Sequence, residues 1–140
     1  MTMPAGTYYI GDLCYVLHSS WEEVCDLVIT LNECLEGEFT LKDGRRFAIF
    51  NTMYGDGEYN DGRGHTFCVD SGSIGCILLS DVDAEDSDTA LEYAKDGLAA
   101  IIKLDHSFYP QRSEGIIQLG HICIDTSESS EYDEEDKGTW

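Results

Sequence analysis

The sequence predicts an α+β fold that is mostly β: an antiparallel sheet or sandwich of about seven strands carrying one amphipathic helix. Three observations carry this. Short runs rich in Val, Ile, Tyr and Phe recur along the chain, separated by Gly, Asp, Ser and Asn, the pattern of strands and turns. Two separators, Asp43-Gly44 and Ser71-Gly72-Ser73, are compact enough to close hairpins. Only one segment repeats its apolar residues every three or four positions: Trp21, Val24, Cys25, Val28, Leu31 and Leu35, the period of a helix.

Each element follows from local chemistry. Thr7 to Ile10 are good strand formers, Gly11-Asp12 signals a turn, and Cys14 to Leu17 resumes the apolar run as a second strand. A helix over about 20–34 starts at Ser20, which with Glu23 forms a capping-box pattern. Glu22 and Glu23 suit the positive end of the helix dipole, and Gly37 is the expected terminator. Residues 38–53 read as a hairpin closed on Asp43-Gly44. Residues 54–64 read as a loop rich in glycine and acids. Thr66 to Asp70 and Ile74 to Leu79 read as a second hairpin closed on Ser71-Gly72-Ser73. Thr89 to Lys95 is a short helix ending at Gly97. Leu98 to Leu104 and Gly115 to Ile124 are two further strands, with Pro110 between them, where its missing N–H costs no ladder bond.

With 140 residues, 42% hydrophobic and 11% aromatic, the chain can build one core. Residues 1–125 are expected to form a single β-rich domain and 126–140 an acidic, flexible tail. There are 28 Asp and Glu against 8 Lys and Arg, a net charge of -20. The tail accounts for only part of this, since residues 1–125 hold 22 acidic and 7 basic side chains. Such a body repels nucleic acid and anionic membranes and attracts basic surfaces. The opening residues lack a basic region followed by an apolar stretch, and no run is long enough to span a bilayer. A cytoplasmic protein is expected, with its six cysteines reduced.

Two blocks stand out. Tyr9-Ile10-Gly11-Asp12-Leu13-Cys14-Tyr15-Val16 is followed closely by Trp21. Tyr54-Gly55-Asp56-Gly57-Glu58-Tyr59 is followed by Val69-Asp70-Ser71-Gly72-Ser73-Ile74-Gly75. Together they resemble a group of small uncharacterised phage and bacterial proteins, whose usual opening is Tyr-Ile-Gly-Asp-Pro-Cys-Tyr. Leu13 stands where proline is usual, which implies a looser turn. The resemblance implies a phage or bacterial origin and no activity.

Candidate sites follow from residue type. Asp12, Asp56 and Asp70 come from three turns and are the candidate acid–base groups of a small hydrolase. The set Asp56, Glu58, Asn60 and Asp61 offers oxygen ligands of the kind calcium takes. It fails the EF-hand template, because Asp61 falls where the turn glycine belongs. His65, Cys68, His121 and Cys123 are the ligand types zinc favours, although no Cys-x-x-Cys is present. The same residues read equally as turn formers, an edge histidine and small buried hydrophobes. No Gly-x-Ser-x-Gly, P-loop or dinucleotide fingerprint occurs. The favoured reading is therefore a non-catalytic, cofactor-free acidic interaction protein. It would bind a basic partner, such as a host nuclease or regulator, through Asp56, Glu58, Asp61, Asp81, Asp83, Glu85 and Asp86. The alternatives are an Asp- or metal-dependent hydrolase and a non-catalytic phage structural or accessory protein.

Overall fold

A computed structural model of the chain describes residues 2–29 and 35–126. The fold is α+β and mostly β, with two antiparallel five-stranded sheets and two helices. The strands are β1 (Gly6–Gly11), β2 (Gly37–Thr40), β3 (Arg46–Asn51), β4 (Gly57–Asn60), β5 (Thr66–Val69), β6 (Ser73–Leu78), β7 (Ala100–Leu104), β8 (Gln111–Ser113), β9 (Ile116–Leu119) and β10 (Ile122–Asp125). The helices are α1 (Trp21–Val28) and α2 (Ser87–Lys95). The inner sheet runs β2-β3-β6-β1-β7 and the outer sheet β5-β4-β10-β9-β8.

Side-chain alternation explains the layering. Tyr8 and Ile10 of β1, Ala48 and Phe50 of β3, and Ile74 and Cys76 of β6 point to one face of the inner sheet. They share a core there with Tyr59, Phe67, Ile117, Leu119, Ile122 and Ile124 of the outer sheet. Tyr9, Phe47, Ile49 and Ile77 point the other way, against Leu13, Val24, Val28 and Ala90. The inner sheet is thus covered on both faces, by a sheet and by helices. Its three central strands, β1, β3 and β6, are near-continuous buried runs, as two-sided burial requires. The outer sheet faces solvent on one side, so β4, β9 and β10 alternate buried and exposed.

Several sequence expectations are met. The 38–53 segment forms the β2–β3 hairpin around Asp43-Gly44, and α2 ends before Gly97, which adopts φ +79°. Other expectations are corrected. The described sheets hold ten strands, not about seven. Thr66–Val69 and Ser73–Leu78 do not pair: β5 pairs with β4, β6 pairs with β1 and β3, and Ser71-Gly72 is the crossover between sheets. Residues 57–60 of the expected 54–64 loop are strand β4, because Gly57 and Tyr59 face the core while Glu58 and Asn60 face water. Gly115 to Ile124 is not one strand but the β9–β10 hairpin, turned at Gly120 with φ +65°.

The Cys14–Leu17 run does not continue as a strand. Leu13–Tyr15 forms a 3-10 turn that lays Leu13 over β6. Helix α1 stops at Val28, since Ile29 is already extended; residues 30–34 of the expected 20–34 helix lie outside the described residues. Ser20 makes no side-chain cap bond. Glu23 accepts from the Lys42 N–H instead, at 2.6 Å, so no capping box forms. Of the expected tail, Thr126 packs into the body, fully buried, and donates to the Gly115 carbonyl. The rest lies outside the described residues.

Gly75 makes this packing work. It sits opposite Gly11 in the β1–β6 ladder. A Cβ there would lie 2.1 Å from the Ala48 carbonyl oxygen and 2.8 Å from Leu13 Cδ1. Gly75→Ala is expected to cost at least ~2 kcal/mol, at the overpacked end of core substitutions. Urea unfolding checks it: the midpoint falls while the slope is unchanged, and an unmoved midpoint refutes the clash.

Candidate functional site

The three acids expected from turns do converge, but they divide into different roles. Asp12 follows β1 and is fully buried. Its Oδ1 accepts from the Cys14 N–H at 3.0 Å and from the Ser71 hydroxyl at 2.8 Å. Its Oδ2 accepts from the Asp70 and Ser71 N–H groups, both at 2.7 Å. Four donors fill the acceptor capacity of a carboxylate. The Ser71 hydroxyl proton is given to Asp12, so in its 2.8 Å bond with Ser73 the Ser73 hydroxyl donates. Tyr9 closes the set by donating to the Asp12 carbonyl at 3.2 Å. Asp12 is a clamp that ties the turn after β1 to the crossover between the sheets.

Asp70 and Asp56 stand at the surface of the same corner. The Tyr15 hydroxyl donates to the Asp70 carboxylate, and the Tyr15 ring meets Tyr93 of α2 edge-on at 4.7 Å. Burial pushes the Tyr15 hydroxyl well above its usual range, and the Asp70 bond adds to that. Tyr15 therefore stays a protonated donor. Burial also raises the Cys14 thiol, with Asp12, Asp70 and Asp56 adding to it. The Cys68 thiol beside Tyr15 is raised chiefly by burial as well. Neither thiol is set up as a nucleophile, because the thiolate is the reactive form.

The four candidate zinc ligands are not brought together. His65 Nδ1 pairs with Asp61 Oδ2 at 2.6 Å, while Asp61 Oδ1 accepts the N–H groups of Arg63 and His65, closing the β4–β5 turn. Cys68 sits beside Tyr15. Cys123 is exposed on the outer sheet, and His121 lines a cleft with His106. Among the described residues, three metal-ligating side chains gather at one place, Asp83, Glu85 and Asp86.

That gathering is a structural knot. Asp83 Oδ1 accepts from Arg45 at 2.9 Å and from the Ser20 hydroxyl at 2.8 Å, and Oδ2 accepts the Ser20 N–H at 3.0 Å. Arg45 also donates to the Asp81 carbonyl and to Asp43. Asp86 Oδ2 accepts the His18 N–H at 2.9 Å. Thus Asp83 and Asp86 hold the approach to α1, whereas Glu85 and Asp88 face solvent. Burial works to raise the Asp83 carboxyl, but the Arg45 and Ser20 bonds outweigh it and hold it below the ordinary range.

Sequence reasoning missed Arg45. The signal was its scarcity: in so acidic a chain each cation has many suitors. Arg46 pairs with Glu38 at 2.6 Å and Arg112 with Glu36 at 2.8 Å. The basic residues left exposed outside ion pairs, among the described residues, are Lys42, Arg63, Lys95 and Lys103. A scan against protein-family models and searches of curated proteins and solved structures each returned no match. The two motif blocks therefore stand on their own geometry, in which Asp12 of the first grips Asp70 and Ser71 of the second.

Asp12→Asn turns an amide toward N–H donors and is expected to cost about 2–4 kcal/mol, more than the loss of an ordinary exposed hydrogen bond. Chemical denaturation checks it; a change under ~0.5 kcal/mol would show that the clamp is dispensable. A second test uses pH. The folded Asp83 carboxyl lies below its unfolded value, so its contribution is full above the unfolded value near 3.9 and fades as pH falls through the folded one. The stability gap between wild type and Arg45→Met should be widest at pH 7 and narrow below about pH 4. A gap constant from pH 7 to pH 3 contradicts the assignment.

Proposed function

We propose that this chain is an acidic interaction protein, encoded by a phage or a bacterium, that binds a basic protein partner. In this reading its carboxylates stand in for the phosphates of a nucleic acid and occupy the cleft of a nuclease or regulator. The observation that carries the reading is the distribution of charge. Residues 1–125 hold 22 acidic and 7 basic side chains, and three of the seven, Arg45, Arg46 and Arg112, are tied up in ion pairs. Exposed acids such as Asp56, Glu58, Asp70, Glu85 and Asp88 therefore dominate the surface.

The physics is that of DNA binding with signs exchanged. Carboxylates carried by a β-rich body lose little chain entropy on association, and each ion pair releases counterions. Of the seven residues expected from sequence to bind, Asp56, Glu58 and Glu85 are exposed, and Asp81 is half-buried. Asp61, Asp83 and Asp86 are occupied internally. The surface of the reading therefore shifts toward Asp56, Glu58 and Asp70.

The test uses immobilised chain and a heparin-retained fraction of cell extract, which is enriched in nucleic-acid-binding proteins. Capture should fall roughly 100-fold between 50 and 200 mM salt for about four ion pairs, and double-stranded DNA should compete. Capture indifferent to both salt and DNA overturns the reading.

A further inference from the structure

A groove of about 620 Å³ lies away from the Asp12 corner, between α2 and the ends of β1 and β6. Leu78, Leu79 and Leu91 give it apolar walls, and Thr7, Ser80 and Ser87 add hydroxyl-bearing side chains. Leu91 is 54% exposed, on a helix whose Ala90 is wholly buried. The leucine therefore belongs to the groove and not to the core. Among the described residues that line the groove, none is acidic, in a chain with 28 Asp and Glu.

Strand register and helix spacing set one cation on each wall. Lys103 stands directly opposite Thr7 in the β1–β7 ladder, so the two side chains leave one face of the sheet with Cβ atoms about 5 Å apart. That is the face of Tyr9, which packs in the helix layer. On α2, Lys95 follows Leu91 by four residues, as Leu91 follows Ser87, so the three form one stripe and Lys95 leans back over Leu91. Asp88, three residues before Leu91, is exposed, and its neighbour Ser87 takes the groove position. Two ammonium groups against one carboxylate leave the groove locally positive on a negative body. Lys95 and Lys103 are also two of the four basic residues exposed outside ion pairs among the described residues.

We propose that the α2 groove binds a single-chain amphiphile with an anionic head, a long-chain carboxylate. Its alkyl chain lies along Leu78, Leu79 and Leu91, and its head meets the ammonium groups and the hydroxyls. Burial of the chain supplies most of the affinity, and the few convergent polar groups fix its orientation. The field of the acidic body opposes an anion at long range, but salt screens it over about 8 Å at physiological strength, whereas the lysines act at contact. The proposal goes beyond the basic-partner reading and does not depend on it.

The test is calorimetric titration of the full chain with decanoate, decanol and decyltrimethylammonium, each below its micelle concentration at physiological salt. Decanoate should bind roughly ten-fold more tightly than decanol, the scale of one charge-assisted contact. The double variant Lys95→Gln/Lys103→Gln should erase that preference, while Leu91→Gln should weaken decanoate and decanol alike. All three residues are exposed, so the variants are expected to keep the wild-type melting temperature; the wild-type comparison of the three ligands decides even if they do not. Decanol binding as tightly as decanoate overturns the proposal, and so does tightest binding of decyltrimethylammonium, which would mean that the acidic body governs the groove. A preference for decanoate that survives the double variant places the site elsewhere and overturns it too, as does binding of none of the three.

Discussion

One buried carboxylate holds the two halves of the molecule in register. Asp12 accepts from Cys14 behind it and from Asp70 and Ser71 across the structure. Those last two residues lie where the chain leaves the outer sheet and enters the inner one. Loops are a poor place for buried backbone N–H groups, since nothing in a ladder satisfies them. Here one side chain does so for two N–H groups of the crossover, those of Asp70 and Ser71. The position of β6 in the middle of the inner sheet, and so the register of β1 and β3 on either side, depends on that crossover being fixed. Tyr9 and Tyr15 brace the same corner from the carbonyl of Asp12 and the carboxylate of Asp70.

Acids do two kinds of work among the described residues. Asp12, Asp61 and Asp83 accept from backbone N–H groups, and two of them also meet a His or Arg partner. They are components of turns and helix approaches. The second kind faces water. The distinction matters because a carboxylate already saturated by fixed donors cannot take part in proton transfer or meet a partner's cation without breaking bonds that hold the fold. Convergence of acids is therefore no sufficient sign of an active site. At the Asp12 corner the neighbouring thiols are pushed up by burial and by the acids themselves, the opposite of activation.

What was legible in the sequence follows from how many faces of each strand are buried. Inner-sheet strands such as Arg46–Asn51 and Ser73–Leu78 are covered on both sides, so they read as apolar runs and were located. Outer-sheet strands expose every second residue. Gly57–Asn60, with its Glu, Asn and Gly, therefore read as loop. The hairpin turned at Gly120-His121 read as one strand because both arms are apolar enough to blur the turn. Pairing is not legible at Ser71-Gly72-Ser73, since a compact turn signal says that the chain reverses but not that the reversed strand joins the same sheet. The convergence of Asp12, Asp56 and Asp70 was visible as three acids in turns. Their division into clamp and surface was not, because it depends on which backbone N–H groups the fold delivers. The role of Arg45 is not legible because, beyond its neighbour Asp43, it joins Ser20 and Asp83, which lie 25 and 38 residues away in sequence.

The surface charge asks for more explanation than solubility gives. A small domain is kept soluble by a net charge of magnitude roughly 2–8, and beyond that, self-repulsion works against the compact state. This body carries 22 acids against 7 bases, and three of its arginines pair with acids of the fold, which leaves the difference in charge unchanged. Arg45 placed on the surface would relieve repulsion, but the acids of the 81–86 segment would then lack the guanidinium that holds Asp83 and the Asp81 carbonyl. The fold thus gives Arg45 to its own turns, and its exterior stays anionic. An exterior of this sign attracts cationic surfaces and repels anionic ones, which is the physical ground of the proposed basic partner.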